Sequence, residues 1–142
     1  MNKILFSSIK GNWTTPIDLF LKLDAKYHFT LDACADDINH LCDKYYTEQD
    51  SCLNHSWCDE IVYINPPYSH GVYKFVKKCY DECNNNKTKI VLLIPSRTDT
   101  RWWHDFIYNK PNIRYEFIKG RLKFGNCNTP ATFPSVLVYF NL

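Results

Sequence analysis

The stretch IVYINPPYSHG, residues 61–71, joins an apolar run to two consecutive prolines, with Asn65 before them and Tyr68 after. Proline donates no backbone hydrogen bond and has a fixed φ, so Pro66 and Pro67 must end the strand that this run predicts. The strand then leads into a rigid corner that holds the Asn65 amide and the Tyr68 ring in fixed positions. Such a corner suits a site that positions a small planar group.

Strand and helix patterns alternate along the rest of the chain. Strands are predicted in HFTLDACA (28–35), TKIVLLIPSRT (88–98), NIRYEFIKGRLKFG (112–125) and PSVLVYFNL (134–142). Helices are predicted in NWTTPIDLFLKLDAKY (12–27), GVYKFVKKCYDECNNN (71–86) and DTRWWHDFIYNKP (99–111). Residues 36–53 predict a short helix, a brief strand around Tyr45–Tyr46 and another turn or strand near Asp50. This order predicts an α/β fold with a mostly parallel central sheet flanked by helices.

Polar side chains follow the predicted strands where each one ends. Asp32 ends the first strand and Asn65 ends the next, while Arg97 and Arg101 follow the third. In α/β sheets, ligands bind beyond the carboxyl ends of the strands. We therefore expect the functional site at this shared edge.

The charge is unevenly distributed over the 142 residues, whose formal net charge is only +2. Residues 1–70 hold five lysines, no arginine and ten acidic residues, and residues 71–142 hold twelve basic and five acidic ones. The two halves thus carry −5 and +7. This asymmetry is typical of a protein with one half facing a polyanion, and two differently solvated surfaces explain it equally well.

The composition predicts a single cytoplasmic domain, residues 1–142, with no membrane contact. No linker, secretory signal or run of transmembrane length is visible, and seven cysteines make a disulfide framework improbable. Several cysteines and histidines crowd one region, but none shows the C-x₂-C spacing of common zinc sites. We expect no metal at these residues: Cys34, Cys42, Cys52, Cys58, His40 and His55.

Seven segments together resemble a known family. They are NWTTPIDLF, LDACADDIN, YYT, INPPYS, VLLIPSRTDTRWWHD, IKGRLKF and FPSVLVYF, in that order from about Trp13 to Phe140. The set resembles the small phage-type DNA N-6-adenine methyltransferases, which use S-adenosyl-L-methionine. The resemblance implies a Rossmann-like methyltransferase fold with an antiparallel C-terminal strand. It also implies action in a host cytoplasm, with a protective role alongside a restriction nuclease or a regulatory one.

The resemblance gives the Asn-Pro-Pro-Tyr corner a chemical role. The amino nitrogen of adenine is a poor nucleophile because its lone pair is delocalised into the ring. Acceptors on its N–H bonds favour a more nucleophilic geometry, and the Asn65 side-chain oxygen and the Pro66 carbonyl are expected to supply them. Pro67 stiffens the corner, and Tyr68 is expected to stack on a flipped base. The alternative is a structural turn in which Tyr68 only packs.

For the cofactor, the resemblance indicates the end of the first strand and the segment before the first helix. The segment LDACADDIN has no glycine, although common methyltransferases carry a glycine-rich loop there. The small residues Ala33 and Ala35 are expected to allow the close approach of the cofactor instead. Asp32 has the alternative role of capping a following helix. The expected contacts are Trp13, Thr14, Thr15, Pro16, Asp32, Ala33, Cys34, Ala35, Asp50 and Asn65.

For DNA, basic residues near the same edge are the candidates. Arg121 and Lys123 alternate with apolar residues and are expected on one side of a strand, and Arg97 and Arg101 follow the third strand. Phosphate contacts from such side chains give affinity without reading sequence. Adjacent Trp102 and Trp103 cannot share one helix face, so we expect one in the core and Trp102 among the DNA contacts.

The function expected from the resemblance is methyl transfer to the N6 amino group of adenine in DNA, by a monomer or homodimer. The same corner would also serve RNA adenine, cytosine N4 or protein glutamine. A different class, an inactive DNA-binding relative, stays open because the glycine-rich loop is missing. No separate target-recognition domain is expected at this length.

Overall fold

The structure is a computed structural model, and it describes residues 13–69, 71–125 and 128–142. Its strands are β1 (Leu31–Asp32), β2 (Ile61–Ile64), β3 (Lys89–Pro95), β4 (Ile113–Phe117) and β5 (Ser135–Phe140). Its α-helices are α1 (Ile17–Tyr27), α2 (Val72–Asn86) and α3 (Arg101–Phe106), and a 3₁₀ turn spans Cys52–Asn54.

The strands form one mixed sheet in the order β1-β2-β3-β5-β4. β1, β2 and β3 pair in parallel, whereas β5 is antiparallel to both β3 and β4. β4 therefore runs in the same direction as the first three strands. The predicted α/β architecture with an antiparallel C-terminal strand is confirmed, and the reversed β5 makes the sheet mixed.

Both faces of the sheet are covered, as the all-buried patterns of β3 and β5 require. Tyr63, Val91 and Leu137 face the side of α1, where they form one core with Phe20 and Leu23. Their strand neighbours face the other way and form a second core with α2 and α3. The sheet is therefore the middle of three layers.

The helix ends agree with the sequence signals. α1 begins directly after Pro16, and α2 ends in the predicted asparagines with Lys87 in a left-handed conformation. α3 is capped by Thr100, whose hydroxyl accepts the Trp103 N–H. Gly71 precedes α2 at a φ of 68°, which suits a residue without Cβ. No helix within these ranges is long and apolar enough to cross a membrane.

Residues 33–51 contain no helix, so the short helix predicted in the segment 36–53 is wrong. The Asp36 carboxylate accepts the backbone N–H groups of Ile38 and Asn39 at 2.9 and 2.7 Å, which favours a turn over a helix. The brief strand survives only as an isolated parallel bridge between Asp32 and Tyr45. With no helix following, Asp32 caps none.

Two further expectations are corrected. Trp102 and Trp103 are both buried, at 8% and 3% exposure. Trp103 packs on the ring of Tyr115 in β4, while Trp102 joins the core of α2. Arg121 and Lys123 lie in an irregular segment rather than a strand, although both are exposed.

Candidate active site

The Asn65 amide lies at the carboxyl end of β2 and is held by two hydrogen bonds. Its Nδ2 donates to the Trp13 carbonyl at 2.5 Å and to Thr15 Oγ1 at 3.1 Å. A carbonyl oxygen can only accept, so the nitrogen must face Trp13. With both N–H bonds engaged, the amide has only its oxygen left for other partners.

The oxygen of the same amide receives the Tyr68 hydroxyl. Tyr68 donates to Asn65 Oδ1 at 2.5 Å, and its oxygen lies 3.3 Å from the Leu93 carbonyl. Burial raises the pKa of Tyr68 well above its usual value, so the phenol stays protonated. A carboxamide oxygen has two lone pairs, so Asn65 Oδ1 can still accept a second N–H.

A buried bond extends this chain into β2. The hydroxyls of Thr15 and Tyr63 lie 2.7 Å apart, and Tyr63 is fully buried. Burial raises the Tyr63 pKa strongly, which keeps this hydroxyl protonated as well. Thr15 is thus bound between Tyr63 and Asn65, and it couples the segment before α1 to the end of β2.

Asp32 occupies the neighbouring strand end, as β1 pairs with β2 in the register Asp32 to Tyr63. Its carboxylate is 3% exposed and accepts the Leu41 N–H at 2.9 Å. Burial raises its pKa to about 6, although backbone hydrogen bonds from Leu41 and Cys34 lower it in part. A cation beside a buried carboxylate stabilises its ionised form.

A cavity of about 840 Å³ opens at this edge of the sheet. The structure brings eight of the predicted cofactor contacts into its lining: Trp13, Thr14, Thr15, Asp32, Ala33, Cys34, Ala35 and Asn65. Pro67 of the corner also lines it, whereas Pro66 is buried and is not among the lining residues. Ala33 and Ala35 line the cavity at the position where common methyltransferases carry a glycine-rich loop. Their side chains are small and fill little of the cavity.

Two predicted contacts lie outside the lining. Pro16 precedes α1, and Asp50 is exposed with its carboxylate 2.6 Å from the His55 ring nitrogen. The adjacent Glu48 and Gln49 line the cavity instead. The segment that contains Asp50 thus reaches the cavity, but its irregular path turns the side chains of Glu48 and Gln49 toward the lining instead of that of Asp50.

Among the predicted DNA contacts, the four basic residues are exposed: Arg97, Arg101, Arg121 and Lys123. The Arg101 guanidinium lies 5.0 Å from the centre of the Tyr73 ring. Trp102 is buried, so its ring is not available at the surface. The Leu122 and Phe124 side chains, which alternate with Arg121 and Lys123, are half-buried and buried.

Sequence reasoning missed an aromatic cluster beside the corner. Phe133 lies within 6 Å of the ring centres of Trp13 and Tyr68, in edge-on contacts. Phe124 contacts the same rings. Both phenylalanines come from the segment between β4 and β5. The alternation in GRLKF places Phe124 on the apolar side, whereas no periodic pattern indicates where Phe133 points.

The cysteine-rich region forms no metal cluster in the part of the chain that the structure describes. The sulfur atoms of Cys34 and Cys52 lie 3.9 Å apart. The partner thiol and burial raise the Cys34 pKa well above its usual value. Such thiols are poor nucleophiles and poor metal ligands.

Comparison with known proteins supports one family. The model of the DNA N-6-adenine-methyltransferase (Dam) family matches residues 4–135. The chain is 32% identical to the DNA N-6-adenine-methyltransferase of Escherichia phage T1 over 108 residues, 75% of this chain and 44% of that protein. It is 27% identical to the DNA N-6-adenine-methyltransferase of Haemophilus phage HP1 over 124 residues, 86% of this chain and 70% of that protein.

The chain spans less than half the length of the phage T1 protein. The family match nevertheless covers the corner, the strand ends and the cavity lining described above. The chain therefore belongs to the DNA N-6-adenine-methyltransferase (Dam) family.

Proposed function

We propose that this chain transfers a methyl group from S-adenosyl-L-methionine to the N6 amino group of adenine in DNA, on a Rossmann-like methyltransferase fold. One observation carries the proposal. The Asn65 amide uses both N–H bonds on Trp13 and Thr15, so it offers an acceptor and no donor to a group in the cavity. An amino group, which brings two N–H donors, is the complement of such a site.

The corner activates the amino nitrogen by accepting its hydrogen bonds. Asn65 Oδ1, in the cavity lining, accepts one N–H, and the Pro66 carbonyl of the same corner is our candidate acceptor for the other. Both bonds withdraw the lone pair from the ring. When bound, S-adenosyl-L-methionine would supply the methyl group, which its cationic sulfur releases directly to this nitrogen. The nitrogen then loses a proton to water. Pro66 and Pro67 keep the acceptors in place because their φ angles are fixed.

The flipped base is held by the aromatic residues beside the corner. An adenine inside a duplex cannot reach the cavity, so the base must leave the stack. Trp13, Tyr68 and Phe133 are half-buried and lie against one another next to Asn65. Tyr68 is our candidate for stacking, and its hydroxyl bond to Asn65 fixes the ring in position.

The cavity fits the cofactor in size and charge. Its volume of about 840 Å³ lies within the range of small-molecule pockets. Buried Asp32 suits the cationic sulfonium or ammonium, and Lys74 in the lining suits the carboxylate of the methionine part. The hydroxyl of Thr14 and the amide of Asn39 are further polar groups there, with Asn39 Nδ2 lying 3.4 Å from Thr14 Oγ1.

DNA phosphates are contacted by exposed basic residues. Arg97 and Arg101 follow β3, and Arg121 and Lys123 precede the aromatic pair Phe124 and Phe133 in the chain. These side chains neutralise phosphates and position the duplex without reading bases.

The test is methyl transfer with radiolabelled S-adenosyl-L-methionine and three parallel acceptors: unmethylated double-stranded DNA, RNA and a protein extract. The DNA is then digested to nucleosides. Label in N6-methyl-deoxyadenosine is expected, and Asn65→Ala serves as the control that must lose it. Label only in RNA, cytosine or protein would contradict DNA adenine as the substrate. No label in any acceptor, together with no cofactor binding by calorimetry, would contradict the proposal that the chain is an enzyme.

A further inference from the structure

β4 is an edge strand whose charged residues are self-complementary. It flanks β5 on one side, and no strand among the described residues pairs with its other side. Edge strands are commonly blocked by charged side chains, especially lysine, and by proline or bulges. The five residues of β4, IRYEF, include no proline or lysine, its two charged residues, Arg114 and Glu116, have opposite signs, and Phe117 is 55% exposed.

The outward-facing peptide groups of β4 belong to alternate residues. Asn141 N donates to the Asn112 carbonyl, and Ile118 N donates to the Ser135 carbonyl, on the side of β5. In an antiparallel ladder the bonded residues alternate, so Arg114 and Glu116 also bond inward. The N–H and C=O groups of Ile113, Tyr115 and Phe117 therefore point away from the sheet.

The sequence of β4 is self-complementary about Tyr115. An antiparallel copy of the strand centred there uses all three outward residues, because Tyr115 pairs with its equivalent and Ile113 pairs with Phe117. This register places Arg114 opposite Glu116 of the second copy, twice. Opposite charges on directly facing positions stabilise a strand pair, and like charges destabilise it.

The side chains are already placed on matching faces of the sheet. The Arg114 guanidinium lies 4.0 Å from the centre of the Tyr139 ring, and Glu116 accepts the Tyr139 hydroxyl at 3.1 Å. Both charges are exposed and lie on the Tyr139 face. On the opposite face, Phe117 packs beside Trp103. Facing Ile113 of the second copy would cover the exposed part of Phe117.

We propose that β4 is the dimer interface of this protein, with two copies joined edge to edge into one continuous ten-stranded sheet. The occupant is a second copy of this chain, because charge, apolar side chains and free peptide groups match in one register. The cavity lies at the carboxyl ends of β1 and β2, and these strands are on the side of the sheet opposite to β4. Both active-site cavities therefore stay open to solvent in the dimer.

The test is a charge-swap experiment on the full chain by sedimentation equilibrium. Wild type is expected to be dimeric at micromolar concentration. Arg114→Glu faces Glu116 of the other copy with a like charge, and Glu116→Arg does the same to Arg114. Each single variant is expected to raise the dimer dissociation constant at least about 100-fold. The double variant Arg114→Glu/Glu116→Arg restores opposite charges and is expected to dimerise again.

Mixing the two single variants gives the sharpest readout. Arg114→Glu carries two acidic groups on the edge and Glu116→Arg carries two basic ones, so they are expected to form a heterodimer. That result would also show that both variants are folded. Lys22→Glu on exposed α1 is the matched control and should leave the dimer unchanged. A monomeric wild type, or single variants that dimerise like wild type, would overturn the proposal.

Discussion

The hydroxyls of Tyr63 and Thr15 meet at 2.7 Å, although 48 residues separate them in the chain. Thr15 Oγ1 also accepts a hydrogen bond from Asn65 Nδ2 at 3.1 Å. The orientation of the Asn65 amide thus depends on a residue inside β2 and on another before α1. The role of the amide can therefore be tested by substituting Asn65 itself or by substituting Thr15, which orients it.

Asn65→Ala is expected to lower the rate of methyl transfer by about 10²- to 10³-fold, the usual effect of removing one preorganised hydrogen-bonding group. Cofactor affinity should change little, because Asn65 is one of many lining residues. Single-turnover kinetics and calorimetry measure the two quantities. Asn54→Ala, at an exposed position, is the control. Retained activity would refute the acceptor role.

Thr15→Val should destabilise the protein by about 1–3 kcal/mol, because the buried Tyr63 hydroxyl loses its partner. It should also lower activity about tenfold, as Asn65 loses one of its two anchors. Adding Tyr63→Phe removes the unpaired hydroxyl and should recover part of the stability without recovering activity. Thermal unfolding and kinetics separate these effects, and parallel recovery of both would contradict the positioning role.

Asp32 predicts a specific pH dependence. Its pKa is about 6 in the folded chain and 3.8 as the ordinary value, so its contribution to stability is complete below 3.8 and is lost as the pH rises through 6. Asp32→Asn should therefore raise the free energy of unfolding at pH 8 by about 3 kcal/mol without cofactor.

The same substitution should weaken cofactor binding. Wild-type affinity is expected to rise with pH through about 6 as Asp32 ionises, and Asp32→Asn should abolish this rise. Calorimetry between pH 5 and pH 8 is the measurement. An unchanged pH profile in Asp32→Asn would assign the cation site to another group.

Arg121→Ala and Lys123→Ala should each weaken DNA binding uniformly across sequences. Each lost phosphate contact lowers the slope of log affinity against log salt by about 0.9. Fluorescence anisotropy at several salt concentrations gives the slope. Lys110→Ala, in the turn before β4, is the control of equal charge. A base-dependent loss would show that these residues read sequence.

Glu82→Ala should cost about 2–4 kcal/mol of stability. The Glu82 carboxylate is 6% exposed, accepts the Trp57 backbone N–H and the Asn86 amide, and lies 3.7 Å from Lys78 Nζ. Its neighbour Asp81 pairs with Lys77 at the surface, so Asp81→Ala is the matched control and should change stability little. Chemical denaturation measures both, and equal effects would contradict the burial argument.

Local chemistry fixed much of this protein in advance. The double proline ends β2, the continuous apolar run forms β3, and the Thr-Thr-Pro segment opens α1. Because parallel strands carry their carboxyl ends to one edge, Asp32 and Asn65 could be expected together from sequence alone. The two residues lie close together because each ends a strand, and these two strands are parallel neighbours in the sheet.

Long-range packing decided the rest. Whether Trp102 lies outside or inside depends on how α3 packs against α2. Whether Asp50 or Glu48 lines the cavity, and where Phe133 points, depend on irregular segments without periodicity. The bonds that orient Asn65 join residues about fifty positions apart, and local patterns carry no information at that distance. The sequence determined which chemical groups reach the edge of the sheet, and only the tertiary structure decided which of their atoms are free to act.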